Sequence, residues 1–225
     1  MPARFVARAA LATVLAVQEG SRPRPAPAPL VTQGRTEIVQ VPAQGETTGV
    51  FILARTIVPH LPPAPLIWRL ETFPSEDAAR AAASPVSLVV KADGKTWLFT
   101  VAGHHGRSRG GVRVAEVTLP PVPQAQSYEL LAAIAILWPG ANVDVHTHPG
   151  PEAWYVLAGE QCLETAVGVS RASAGQTMVA LAATPMKLVI TGSSLRRAFF
   201  IVLHDAAQPW ISDAAWQPQG LCQRN

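Results

Sequence analysis

Charge is scarce in this 225-residue chain: Asp, Glu, Lys and Arg make up 15% of it, against roughly 25% in an average soluble domain. Disorder throughout needs high charge and low hydrophobicity, so a chain with 48% hydrophobic residues is not of that kind. Coiled coils and long helical arrays, which are rich in Glu, Lys and Arg, are excluded on the same ground. Cysteine is nearly absent. Cys162 and Cys222 are too few for a disulfide framework, and neither stands in a CxxC or CxxH spacing, which excludes a structural zinc knuckle. The two form either a single bridge outside the cytoplasm or a pair of free thiols. No apolar run reaches the about 20 residues of a membrane span. No Gly-rich phosphate loop, Gly-x-Ser-x-Gly elbow or Cys/His nucleophile pair is present. Basic residues outnumber acidic ones by 18 to 15. They are scattered, apart from Arg107, Arg109 and Arg113 and the Arg196–Arg197 pair, so no nucleic-acid-binding face is predicted.

What the chain has in quantity is turn punctuation. Its 21 prolines and 16 glycines are spread along its length, which points to a compact, turn-rich, mostly β protein. Arg4 and Arg8 precede the apolar run Ala9–Val17, and no acidic residue comes before Glu19. Residues 1–20 therefore read as a candidate signal peptide and the protein as periplasmic or secreted; the other reading is a frayed extension on a cytoplasmic protein. Residues 21–33 form a Pro-rich linker, with four prolines alternating over Arg22–Pro29. Residues 34–111 read as an N-terminal β-rich region packed on a barrel. Strands are predicted at Thr36–Val41, Val50–Val58, Leu66–Leu70, Val86–Val90 and Thr96–Val101, the last two joined by an Asp93-Gly94 hairpin. A short helix starts at Ser75, an N-cap followed by Glu76 and Asp77, and Pro85 stops it. Residues 112–204 carry short strands at even spacing, which suggest a sandwich or barrel, at Val112–Leu119, Tyr128–Trp138, Asn142–His148, Ala153–Leu157, Gln161–Val167, Thr177–Leu181, Lys187–Thr191 and Ala198–His204. The tail, 205–225, packs Trp210 and Trp216 back on the body.

The informative segment runs from Gly140 to Gly159. Residues two apart on a strand share a face, so His146 and His148 project together. Pro149-Gly150-Pro151 bends the chain, and Glu152 opens the next strand facing the same interior. Two imidazoles and one carboxylate form a facial set suited to a divalent transition metal with open coordination positions. At this point the sequence resembles the cupin superfamily. Its first motif is matched without a gap by Gly140, His146, His148, Glu152 and Gly159. The resemblance implies an all-β, cupin-type antiparallel jelly-roll barrel with few short helices, and a metal inside it. In the second motif, which starts at Gly175, the expected positions hold Leu181, Ala183, Met186 and Ile190, so only the glycine survives. Met186 stands where the resemblance implies a fourth ligand.

Three readings of the centre stay open. His146, His148 and Glu152 hold a metal alone; or Met186 completes the shell and favours a softer ion such as copper; or the pocket holds no metal. Fe(II) is the first expectation, with Mn, Ni, Cu or Zn also suited to the ligand set. His104-His105, between glycines, reads as a solvated loop before it reads as a site. His204 beside Asp205 reads as a surface pair, and is the nearest replacement ligand. Trp154 and Tyr128 read as core before cavity platforms. The function expected is a metal-dependent enzyme acting on a small organic molecule, of dioxygenase type, with isomerase or lyase chemistry at the same metal as an alternative. From a different class comes a non-catalytic module for a small, sugar-like ligand. The resemblance also implies a homodimer formed by sheet-edge pairing, and the N-terminal strands offer such an edge.

Overall fold

A computed structural model describes residues 48–103 and 110–223. The leader, the Pro-rich linker, the Thr36–Val41 strand and the loop carrying His104, His105, Arg107 and Arg109 lie outside the described residues. In chain order the elements are β1 (Gly49–Val58), β2 (Leu66–Phe73), α1 (Glu76–Ala82), β3 (Ser87–Ala92), β4 (Lys95–Gly103), β5 (Val112–Thr118), β6 (Tyr128–Leu137), β7 (Asn142–Thr147), β8 (Glu152–Ala158), β9 (Glu160–Thr165), β10 (Gly168–Ser173), β11 (Thr177–Ala180), β12 (Met186–Thr191), β13 (Arg196–Asp205) and β14 (Ser212–Asp213), with a 3₁₀ turn at Leu221–Gln223.

The strands form three sheets, ordered β1-β6-β13-β8-β11, β10-β9-β12-β7-β14 and β3-β4-β2-β5, with every pairing antiparallel. The eight consecutive strands β6 to β13 divide between the first two sheets in a fixed way. The first of the eight pairs with the last, the last with the third and the third with the sixth. In the facing sheet the second pairs with the seventh, the seventh with the fourth and the fourth with the fifth. This is jelly-roll connectivity, and the fold is an all-β jelly-roll barrel.

Burial follows the two-residue period of the strands. On β6, Leu131, Ala133 and Ala135 point into the barrel, while Leu130, Ala132, Ile134 and Ile136 point out; on β13, Ala198, Phe200 and Val202 point in and Phe199, Ile201 and Leu203 out. The outward residues are covered by the four-stranded sheet, with Trp97 and Phe99 edge-to-face on Phe199 at 4.9 and 5.0 Å. Strands covered on both faces must be apolar nearly throughout, which is why β6 and β13 read as continuous hydrophobic runs. Locally the turn chemistry holds. Ser75 Oγ accepts from the Ala78 amide at 3.2 Å to cap α1. Asp93 and Gly94 both take positive φ, as the two-residue hairpin requires.

Two expectations are corrected. The barrel was expected to open at Val112, but β5 pairs with β2 in the outer sheet, and β1 takes the place beside β6. The cause is tertiary: β6 is apolar on both faces and needs a partner along its free edge, whereas β5 is largely exposed and suits an outer edge. The strand β10 was not expected at all. Its Gly168, Ser170, Arg171 and Ser173 give no apolar alternation, and only Ala172 is buried.

The tail is fastened at three points. β14 pairs with β7, the Glu164 carboxylate accepts the Gln219 and Leu221 amides at 2.5 and 3.0 Å, and Cys222 is disulfide-bonded to Cys162. Of the two cysteine readings, the bridge is the one found. Among the described residues no helix is long and apolar enough to cross a membrane.

Candidate metal centre

His146 lies in β7, His148 just beyond its end, and Glu152 at the start of β8. The turn between them is forced tight by Gly150. A Cβ there would lie 1.9 Å from the Leu203 carbonyl oxygen, so only glycine lets the chain pass so close to β13. Their candidate ligand atoms all lie within 4.8 Å of one another, and all three side chains are buried. The group that the sequence brings together is therefore together in the fold.

The histidine tautomers are set by the backbone. His146 Nδ1 lies 2.7 Å from the Asp144 carbonyl oxygen, and His148 Nδ1 lies 2.5 Å from that of Trp210. A carbonyl can only accept, so each Nδ1 donates, and each neutral ring presents an unprotonated Nε2. Metal-binding histidines are held in this way. His148 Nε2 lies 2.9 Å from Glu152 Oε2, yet neither buried atom has a hydrogen-bond partner. When His148 is neutral both atoms present lone pairs, and a cation held by the two would satisfy them as a shared proton does. Burial disfavours charge on His148, but the charge of Glu152, the hydrogen bond its carboxylate accepts from the protonated ring and the Trp210 carbonyl outweigh it, and its pKa is raised above the ordinary value.

Around these groups lies a small cavity, about 50 Å³, with Val143, Trp154, Phe200 and Trp210 as apolar wall and Arg196 as a fourth polar group. The Trp210 ring stacks on His148 at 5.6 Å and 17°. Trp154, expected as core, does line this cavity. Tyr128 does not: it sits in the core between barrel and outer sheet, its hydroxyl accepting the Ala125 amide at 3.1 Å. Met186 lies directly opposite His146 in the β7–β12 register and is fully buried among the barrel's apolar residues. It is not part of the cavity wall.

His204 corrects another expectation. It is fully buried, its Nδ1 donates to the Asp205 carbonyl at 2.8 Å, and its Nε2 lies 3.2 Å from Glu129 Oε2. It sits near the end of β13, paired with Glu129 of β6 on one side and with the Gly150 turn against its backbone on the other; read as a strand end, it was placed at the surface. It does not join the ligand group. The His204 contact holds the Glu129 carboxyl below its ordinary pKa against the cost of burial, with Arg55 assisting.

Arg196 is the functional candidate that sequence reasoning missed. It was seen only as half of a basic pair. On a strand, neighbours point to opposite faces. Arg197 turns outward to donate to Asp93 in the β3–β4 turn, and Arg196 turns into the barrel. A charge opening an otherwise apolar strand was the available signal. Its Nε donates to Gln161 Oε1 at 2.7 Å, its Nη2 to the same oxygen, and its Nη1 to the Ala135 carbonyl at 3.3 Å. Burial lowers its pKa to about 10, with the Glu152 charge opposing. The motif glycine Gly159 is explained here too: at φ +72 a Cβ would meet Arg196 Cα at 2.7 Å. A larger cleft, about 270 Å³, lies between Glu164, Lys187 and the 3₁₀ turn, but Glu164 is already satisfied by the tail amides.

No protein-family model and no curated protein matches the chain. Solved structures are similar at a distance. A conserved protein with a double-stranded β-helix domain from Klebsiella pneumoniae is 17% identical, over 43% of this chain and 76% of that one, at a TM-score of 0.33. A cupin superfamily protein from Desulfitobacterium hafniense is 14% identical, over 34% and 68%, at 0.32. Oxalate decarboxylase from Bacillus subtilis, in a point mutant, is 18% identical, over 37% of this chain and only 23% of that one, at 0.34. Likenesses this distant transfer no activity. Jelly-roll strand order, with two histidines and a carboxylate at the motif spacing inside it, is the arrangement that the cupin resemblance of the sequence implies. Its His146–His148–Glu152 group is one that can bind a metal ion.

Proposed function

We propose that this protein is a metal-dependent enzyme acting on a small organic molecule, of dioxygenase type, with Fe(II) held by His146, His148 and Glu152. The observation that supports it most is the pair of Nδ1–H to carbonyl bonds, which commits both rings to offering Nε2 beside a buried carboxylate. A bound divalent transition metal supplies Lewis acidity and, for iron, electron exchange with dioxygen at open positions. The chain's own residues do the rest. Glu152 contributes negative charge as a ligand and so does not serve as a free base. Trp154, Phe200 and Trp210 give the centre an apolar wall against which the carbon part of a substrate would rest.

The test is metal content per chain, by elemental analysis, in the wild type and in Glu152→Ala prepared identically, followed by oxygen uptake on the loaded protein. Near-stoichiometric metal in the wild type alone, with substrate-dependent oxygen uptake, supports the reading. Metal without oxygen uptake leaves isomerase or lyase chemistry. Traces in both proteins after incubation with each ion overturn it and favour a metal-free binding module. The Cys162–Cys222 bridge supports export to an oxidising compartment, which cell fractionation tests. The exposed edge strand β5, in the outer sheet beside the N-terminal strands, offers an edge through which a homodimer would pair, which light scattering tests.

A further inference from the structure

We propose that the cavity takes the carboxylate of a small organic acid and that Arg196 is the residue that recognises it. The proposal deepens the functional reading above by naming its substrate class. It stands on a contrast among the buried arginines. Arg69, Arg196 and Arg197 are all within 4% of complete burial. Arg69 meets Glu116 at 2.6 Å, and Arg197 meets Asp93. Among the described residues Arg196 alone of these three has no carboxylate within ion-pair distance, and its acceptors are a neutral amide and a backbone carbonyl. Burying a guanidinium without a carboxylate in direct contact is costly, and a carboxylate arriving beside it gains charge-assisted hydrogen bonds in a site of low dielectric.

The donors for that contact are present. A guanidinium carries five N–H groups. Three have acceptors within the protein, and the other two belong to Nη1 and Nη2 of a side chain on the cavity wall. Paired N–H groups of this kind suit a carboxylate. Charge balance agrees. Glu152 shares the cavity and repels an anion, but a divalent ion held by the His146–His148–Glu152 group leaves the interior net positive once Arg196 is counted. Anion affinity is therefore expected to rise with metal. Size narrows the class. At about 50 Å³ the cavity accepts a ligand of roughly three to five non-hydrogen atoms, since one water needs about 10–15 Å³ on this measure. That admits the carboxylate end of a small acid.

The experiment is calorimetric titration of the full chain, metal-free and zinc-loaded, with acetate and with its neutral counterpart acetamide. Acetate is expected to bind the zinc-loaded protein at least tenfold more tightly than acetamide does, and Arg196→Gln to weaken acetate at least tenfold with zinc content unchanged. Gln161→Glu guards against a variant that simply fails to fold. It places a carboxylate against Arg196, so it should fold at least as stably as the wild type, by thermal unfolding, and lose acetate binding. Equal binding of acetate and acetamide, or acetate binding undiminished in either variant, overturns the proposal. A protein that takes up no zinc but binds acetate through Arg196 removes the metal reading and supports this one. A protein that takes up zinc and ignores acetate does the reverse.

Discussion

The central sheet of this protein presents two faces built from alternate residues of the same strands, and they do different work. Its outer face sets Leu130, Ile134, Phe199 and Ile201 against Trp68, Trp97 and Phe99 of the four-stranded sheet, with large side chains meeting edge to face. Its inner face sets Ala133, Ala135 and Ala198 beside Phe200 and Trp154. Small residues there leave room for a cavity and for four polar side chains around it. Close packing is the source of stability, whereas a site requires space and partly unsatisfied groups. One sheet accommodates both because its period of two separates them by a single residue.

This contrast can be broken most forcefully from outside. Phe199→Ala should cost about 3–5 kcal/mol, read as a shift of the urea midpoint, with metal content per folded chain unchanged. The inner face should answer the other way. Glu152→Ala is expected to reduce bound metal to traces in elemental analysis, while the metal-free protein's urea midpoint moves far less than in Phe199→Ala. Ala183→Gly tests the degenerate second motif. Ala183 takes φ 56, a left-handed conformation, and its amide donates to the His148 carbonyl at 2.8 Å. The backbone thus keeps the shape that glycine suits although the side chain has changed. Restoring glycine should stabilise the fold by about 1 kcal/mol.

The smallest effect concerns pH. His204 lowers the Glu129 pKa from an ordinary value of 4.5. The stability this pair contributes is fully present above about pH 4.5 and is lost as pH falls through the native pKa. Glu129→Gln should therefore lose stability at about pH 6 and show a shallower decline on acidification, measured by thermal unfolding between pH 6 and about pH 3.

What was legible in the sequence was what is local. His146, His148 and Glu152 lie within one turn of chain, so spacing alone shows that they can meet. The Ser75 cap and the Asp93-Gly94 turn are equally self-contained. Strand partners are not, because pairing is chosen by the whole fold. Thus β5 was given to the barrel, β1 was not, and polar β10 went unseen. The site's remote members were hidden for the same reason. Trp210 reaches His148 from 62 residues away, and nothing near Arg196 in sequence tells which of two adjacent arginines faces inward. His204 was misplaced because burial by a strand and a turn remote in sequence does not show in a strand's last residues.

The bridge between Cys162 and Cys222 has a thermodynamic consequence of its own. It fastens the tail that supplies both the carbonyl fixing the His148 ring and the indole lying against it. Oxidation of the two sulfurs and occupancy of the centre are then coupled equilibria, and coupling is reciprocal. If reducing the bridge weakens metal retention, a bound metal must make the bridge harder to reduce by the same factor. Measuring the disulfide's reduction potential with and without metal reads that factor directly, from the side of the molecule where no metal binds.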